Sequence, residues 1–491
     1  MVSEIISKLN QQNTIDDMMP LTAFSDDVNI EMLEKQGYKP YFTVETWKTK
    51  FPDIDPKHIL CPRAVLFSPS LIYYDPEHYI CFDTNICCGE MIIPSSSAER
   101  KEDSNQVLLN CIQEGMKAYV EKDYLRLLLP IANEENGGIA IHILRDMLER
   151  EEPNPELYKA FLSIYTLCNC GAHLLGEKAL KRLKMCKNEK QIMDTTMILG
   201  SPGEWMTIYR GQASESTPYA QACSWTTDIN KAYFFASWRS AENSCILTGL
   251  VRKDDIIDFI DDRKEKEILV VPGTVRLQSK KQCVAWDLFQ NVVTADMFNN
   301  EYRFPKESLL RNIMTALDDI YEDAGVVGHD RSHSLRVALM ANYIFRVEIL
   351  LPLFHKKKST FKKACQDLAN LSMAAIYHDS GRVDNTANLE HGALGYEKFR
   401  KKHGENKVVS YLTTCHCRSD EEARRFWKEH FKGTDAENIW QAFCIIKDAD
   451  ALDRVRFGNL SQDYLDVTTL RTETAKSLVP VAHQLVNAKI Q

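Results

Sequence analysis

Three features are scarce in this chain of 491 residues: excess positive charge, long apolar runs and paired cysteine motifs. Lys and Arg number 60 against 69 Asp and Glu, a net charge of −9. That balance argues against a general nucleic-acid binder, which would usually show a basic domain, and leaves a local basic patch open. The longest apolar stretches, such as the one around Ile344–Phe354, are short or broken by charge. They fall below the roughly 18 residues a membrane helix needs, so no membrane span is expected. The 15 cysteines are scattered, and no CxxC…CxxC pair exists to form a structural zinc site. A chain of this size does not need disulfide staples, so reduced thiols and a cytoplasmic working place are expected. Cys61, Cys81, Cys87 and Cys88 cluster early, while Cys415 and Cys417 flank His416. The Cys87–Cys88 pair reads as two small buried hydrophobes. Met1–Asn13 lacks the apolar core of a secretory signal. Export into a host cell as an effector stays open through a route that reads no such signal.

The hydrophobic fraction of 44% is enough for a proper core in each of several domains. Residues 1–58 are polar and mixed. From Ile59 to Ile93, runs such as AVLFSPSLIYY and HYICFDTNICC read as strands. Pro94–Gln106 reads as a loop. From Val107 to about Met193 the apolar residues recur at helical spacing, as in Leu144, Met147 and Leu148. Pro155 suits the first turn of a further helix. Trp205 to Val275 alternates strand-like runs with one short helix, INKAYFFASW. The stretch TADMFNNEYRFPKES reads as a linker, and from Lys306 onward the pattern is helical. The expected architecture is multidomain: a mostly helical region with a few strands (1–195), an α+β domain (196–295) and an all-α domain (306–491).

The C-terminal part carries an ordered set of metal-ligand types. GHDRSHSLRVALMANYIF puts His333 on an apolar helix, LSMAAIYHDSGR ends a helix in His378–Asp379, and AFCIIKDADALDR places Asp450 on another. Gly381 reads as a helix stop. The acidic residues Asp448 and Asp450 beside an apolar run are costly to bury without a cation. Hydrolysis of a phosphoester needs a metal that polarises the phosphoryl oxygen and activates water, and His and Asp are suitable ligands. The set resembles the HD superfamily of phosphohydrolases and phosphodiesterases over roughly residues 306–490. That resemblance implies His333, His378, Asp379 and Asp450 as metal ligands, with Asp450 preferred to Asp448. His391 and His416 stand where the binuclear branch has histidines, which implies one or two ions of Mn, Fe, Zn, Ni or Mg. His329 is expected to shape the loop or touch substrate, and Arg336 and Arg382 to recognise phosphate. The motif reads HDSGR where the family commonly has HDIGK, which leaves the substrate class open.

In the middle domain, TIYRGQ, SWTTD and RKEKEILVVPG follow in that order. This resembles ADP-ribosyltransferases of the Arg–Ser–Glu type over about 70 residues. SWTTD is a partial match to the family's Ser-Thr-Ser strand. The resemblance implies NAD as cofactor, bound by Arg210, Gly211, Ser224, Thr226 and Glu267. Glu267 would steady the oxocarbenium-like charge and Glu265 would orient a protein acceptor such as an arginine. Tyr209, Trp225 and Phe235 are candidates for ring stacking.

Together these readings imply a bifunctional enzyme: ADP-ribose transfer from NAD to a protein, plus metal-dependent hydrolysis of a nucleotide or other phosphoester. One alternative resembles effectors that ligate ubiquitin through phosphoribose. Another is an HD hydrolase or nucleotide sensor with an inactive middle domain.

Overall fold

The computed structural model describes residues 14–23, 44–62, 71–84, 104–133, 136–168, 171–200, 203–214, 216–237, 243–261, 263–294, 309–318, 320–321, 326, 328–353, 358–384, 389–433 and 436–488. Cys87, Cys88, most of the Pro94–Gln106 loop and most of the expected linker lie outside them.

Four short strands, β1 (Met18–Pro20), β2 (Ile59–Pro62), β3 (Ile72–Asp75) and β4 (Ile80–Asp83), form an antiparallel sheet in sequential order. Tyr73 and Phe82 face each other across β3 and β4 with their rings stacked 4.9 Å apart. Helices α1 (Val44–Lys50), α2 (Ser104–Glu121), α3 (Gly137–Arg150), α4 (Pro155–Cys168) and α5 (Gly176–Met185) pack with this sheet around one core, while α6 (Glu189–Leu199) gives Leu199 to a cluster on the middle sheet. On α3 the buried residues include Leu144, Met147 and Leu148, the apolar triplet of the sequence. α6 opens with a capping box between Asn188 and Gln191 and stops at Gly200, whose φ of 82° suits glycine.

The second sheet comprises β5 (Trp205–Gln212), β6 (Ser224–Thr226), β7 (Cys245–Arg252), β8 (Ile256–Ile260), β9 (Glu267–Val270) and β10 (Arg276–Gln282). Its spatial order is β10-β7-β5-β6-β9-β8, with every neighbouring pair antiparallel. One helix, α7 (Ile229–Ser237), lies on β5. The contact is so close that a Cβ on Gly211 would stand 1.9 Å from the Ala232 carbonyl oxygen.

This sheet is joined to the helices on both sides. Toward the N-terminal region, the buried Asp258 accepts from Lys187 Nζ at 2.5 Å and from Tyr158 Oη. Leu269 and Val271 join the N-terminal core, while Ile268 and Val270 face a separate cluster with Trp225. That split is the period of two along β9.

The C-terminal region is helical: α8 (Trp286–Thr294), α9 (Leu309–Asp318), α10 (Arg331–Phe345), α11 (Lys358–Tyr377), α12 (His391–His403), α13 (Lys407–Cys415), α14 (Asp420–His430), α15 (Ala436–Leu452) and α16 (Val479–Asn487). α10 is buried along nearly its whole length, its polar His333, Ser334 and Asn342 included. Residues of α7 and α8 share its core. At this junction Asn230 accepts from the Val467 amide at 2.7 Å, and Phe234 meets His483 and Tyr464 edge-on. Among the described residues no helix is long and apolar enough to cross a membrane.

His483 accepts a hydrogen bond from Tyr464 at 2.9 Å, and burial pulls its pKa down to about 4. The unfolded ring titrates near 6.5, so its contribution is intact above that value and declines as pH falls toward 4. By pH 5 the loss reaches about 2 kcal/mol. Urea unfolding of metal-free protein at pH 7 and pH 5 should show this drop in wild type and a smaller one in His483→Gln.

Candidate metal centre

The HD-like cluster is built from helix ends. Asp330 caps α10 by accepting from the His333 amide at 3.0 Å, which sets His333 in the first turn, fully buried. His378 and Asp379 follow the last turn of α11, His391 opens α12, and His416 follows α13. Asp450 comes from α15. Gly381 does not stop α11 through a left-handed conformation, as the sequence suggested. Its role is contact: a Cβ there would lie 2.2 Å from the His391 carbonyl oxygen. A Cβ on Gly392 would lie 2.4 Å from that of Thr413. Glycines at both points let the ends of α11, α12 and α13 meet.

The ring orientations are set from behind. His378 Nδ1 lies 2.8 Å from the Ala375 carbonyl oxygen and His416 Nδ1 lies 2.7 Å from that of Thr413. A carbonyl only accepts, so both Nδ1 atoms carry the proton and both Nε2 atoms keep a lone pair. His333 Nδ1 donates to Asp453 Oδ2 at 2.8 Å. The Nε2 atoms then converge in pairs, His333 with His378 at 3.1 Å and His391 with His416 at 3.0 Å. Bare nitrogens at such separations repel unless a proton or a cation stands by them.

Asp379 joins the two pairs. Its Oδ2 is 2.6 Å from His329 Nδ1 and 3.3 Å from His333 Nε2. Its Oδ1 is 3.2 Å from His391 Nε2, 3.4 Å from His416 Nε2 and 3.0 Å from Arg382 Nε. Asp450 Oδ1 stands 3.4 Å from His333 Nε2 and 3.9 Å from His378 Nε2, and its side chain is 31% exposed. Ligand atoms of His333, His378 and Asp450, and of His378, Asp379 and His416, lie within 4.8 Å of one another. The residues present therefore fit one or two divalent cations.

The electrostatics agree. Burial works against charge on His333, but hydrogen bonds to Asp379 and Asp453 outweigh it and raise its pKa to about 9. Burial holds His378 down to about 4, although Asp379 pulls the other way. Asp379 resists burial through His378, His329, His333 and His391 and stays well below the usual carboxylate range. The raised pKa of His333 keeps a positive charge beside Asp379.

Two acidic residues have roles the sequence reading did not give them. Asp448 needs no metal ion: it is fully buried and accepts from the amides of Arg471 (2.9 Å) and Thr472 (2.8 Å) and from the Arg471 guanidinium. Asp453, overlooked in the sequence, backs His333 and receives Arg336 at 2.5 and 2.9 Å and Arg456 at 3.3 Å. Arg336 is thus a partner of Asp453 rather than a phosphate contact. The spacing held a clue, since Asp453 and Arg336 each follow a ligand by three residues on a helix or its continuation.

Residues 331–455 match the HD domain family model. No curated protein and no solved structure matches the chain.

In the middle sheet, Arg210 donates to the carbonyl oxygens of Ser224 at 2.7 Å and Thr217 at 3.2 Å. Thr226 Oγ1 donates to the Glu265 carbonyl at 2.8 Å. Glu267 is buried at the start of β9 and accepts from Tyr165 of α4 at 2.5 Å. Arg263 approaches Glu265 at 3.2 Å and Glu267 at 3.8 Å. Burial, reinforced by Glu267, pushes the Tyr165 phenol well up. Two expectations change. Trp225 points to the opposite face from Ser224 and Thr226 and is packed in the core with Ile208 and Ile268. Tyr209 packs against the C-terminal core. Gly211 admits α7. Phe235 stays 37% exposed beside Phe234. Tyr165 was missed, because nothing local marks a helical tyrosine as facing a distant carboxylate.

Asp453→Asn should lower divalent-metal affinity about 10- to 100-fold, the usual effect of losing a carboxylate behind a ligand. Titration of metal-free protein by calorimetry checks this, with Asp463→Asn as an exposed control.

Proposed function

We propose that the HD domain hydrolyses a phosphoester or nucleotide with one or two divalent ions among Mn, Fe, Zn, Ni and Mg. The observation that carries this reading is the convergence of four imidazole Nε2 atoms, in two close pairs, on the single carboxylate of Asp379. His333, His378 and Asp450 would hold one ion, His391 and His416 the other, and Asp379 would touch both. Bound there, divalent ions supply a Lewis acid for the phosphoryl oxygen and lower the pKa of water. The chain's own part is orientation. Asp453, Ala375 and Thr413 fix the imidazoles, and Arg382 steadies Asp379. Water attacks phosphorus, the P–O ester bond breaks, and the leaving alkoxide takes a proton. Asp450 marks the solvent-facing side from which substrate enters.

Purified protein incubated with Mn²⁺ and a panel of nucleotides and bis-p-nitrophenyl phosphate should release product. Release should vanish with chelator and in His378→Ala and Asp379→Ala. Nucleotide binding without turnover in metal-loaded wild type would instead support a sensor.

A second reading is ADP-ribose transfer from NAD to a protein by the middle domain. Its support is that Arg210, Ser224, Thr226 and Glu267 lie on the three neighbouring strands β5, β6 and β9. Incubation with labelled NAD and a cell lysate should label proteins, and Glu267→Gln should reduce labelling by roughly 10²–10³-fold. Labelling equal in wild type and Glu267→Gln would reject this reading. With both sites active, the hydrolase would act on the transferase's product, and phosphoribosyl linkage to ubiquitin would be one such outcome.

A further inference from the structure

His391 and His416 are joined by a third donor that phosphohydrolase chemistry does not require. Cys417 follows His416 in the turn after α13, and ligand atoms of His391, His416 and Cys417 all lie within 4.8 Å of one another. We propose that the Cys417 thiolate completes a nitrogen–sulfur site for the second ion, so that the two metal positions differ in chemistry. The proposal rests on the metal-centre reading above.

The geometry supports it at each ligand. Two imidazole nitrogens on one tetrahedral ion, at about 2.0–2.1 Å each, are roughly 3.3 Å apart. His391 and His416 already stand at 3.0 Å. The sulfur is held only by weak contacts, donating to the Leu389 carbonyl at 3.3 Å and approaching that of Thr414 at 3.6 Å. A thiol is a weak donor, so such contacts can yield to a metal bond. Cys417 is half-buried beside the two histidines. Cys415, two residues earlier, is buried in the helical core and has no place in the cluster.

The ligand sets then separate the ions. The first position offers imidazole and carboxylate, which accept a wide range of divalent metals. The second offers two imidazoles and a thiolate beside the shared Asp379, a set that favours zinc, iron or cobalt and disfavours magnesium. The centre would hold a borderline ion at the second position even where magnesium is abundant.

Cobalt(II) tests this, because it reports thiolate ligation by colour. Metal-free full-length protein is titrated with Co²⁺ and followed from the near ultraviolet through the visible. Wild type should develop visible ligand-field bands over two equivalents and a near-ultraviolet sulfur-to-cobalt charge-transfer band with the second. Cys417→Ser should lose the charge-transfer band, keep the bands of the first equivalent and hold the second ion about tenfold or more less tightly. Cys415→Ser should keep the band. Binding of Co²⁺ to wild type without a charge-transfer band, or a band that survives in Cys417→Ser, overturns the proposal and leaves the metal centre standing. No Co²⁺ binding by wild type overturns both.

Discussion

The carboxylate of Asp379 is the point on which the C-terminal site depends. Burying such a group is expensive, several kcal/mol after relaxation, unless charges of opposite sign surround it. Five imidazoles and the Arg382 guanidinium surround it, with His333 held charged by its carboxylate neighbours, and they come from the loop before α10, from α10 itself, the end of α11, the start of α12 and the end of α13. The helices must therefore end where they do, and close together. Gly381 and Gly392 allow it by removing side chains where backbone meets backbone. Asp453 repeats the arrangement one layer back, where Arg336 and Arg456 balance its charge while it orients His333.

A similar logic joins the middle sheet to its neighbours. Asp258 and Lys187 form a buried pair between β8 and the N-terminal helices, with Tyr158 and Thr195 completing the bonds. Such pairs add little net stability compared with apolar packing, but losing one partner costs about 3–5 kcal/mol, so they specify how the surfaces meet. Glu267 lies at the same interface, closed by Tyr165. On the other side α7 is wedged between β5 and α16, with Asn230 tied to the backbone of Val467. The sheet is therefore gripped from both sides, and any chemistry at Glu267 is coupled to how α4 seats against it.

The sequence by itself determined what is local or ordered along the chain. His333, the His378–Asp379 pair and Asp450 were legible because ligand types stood on apolar helices in a set order. The strands of the middle domain and the helix at Ile229–Ser237 were legible from their periodicity, and His391 and His416 from their places between the motif's parts. The tertiary structure alone decided which neighbours those residues would have. Asp448 and Asp450 are two residues apart on one helix, and only packing sends the first to the amides of Arg471 and Thr472 and the second to the histidines. Arg336 looked like a phosphate contact until Asp453, 117 residues away, claimed it. Trp225 looked available for stacking until the alternation of β6 was anchored by its pairing with β9. Tyr165 and Glu267, 102 residues apart, share a hydrogen bond that no local pattern encodes. Periodicity and motif order act over a few residues. Charge compensation and burial are settled between segments far apart in the chain, once the backbone has brought them within about 4 Å.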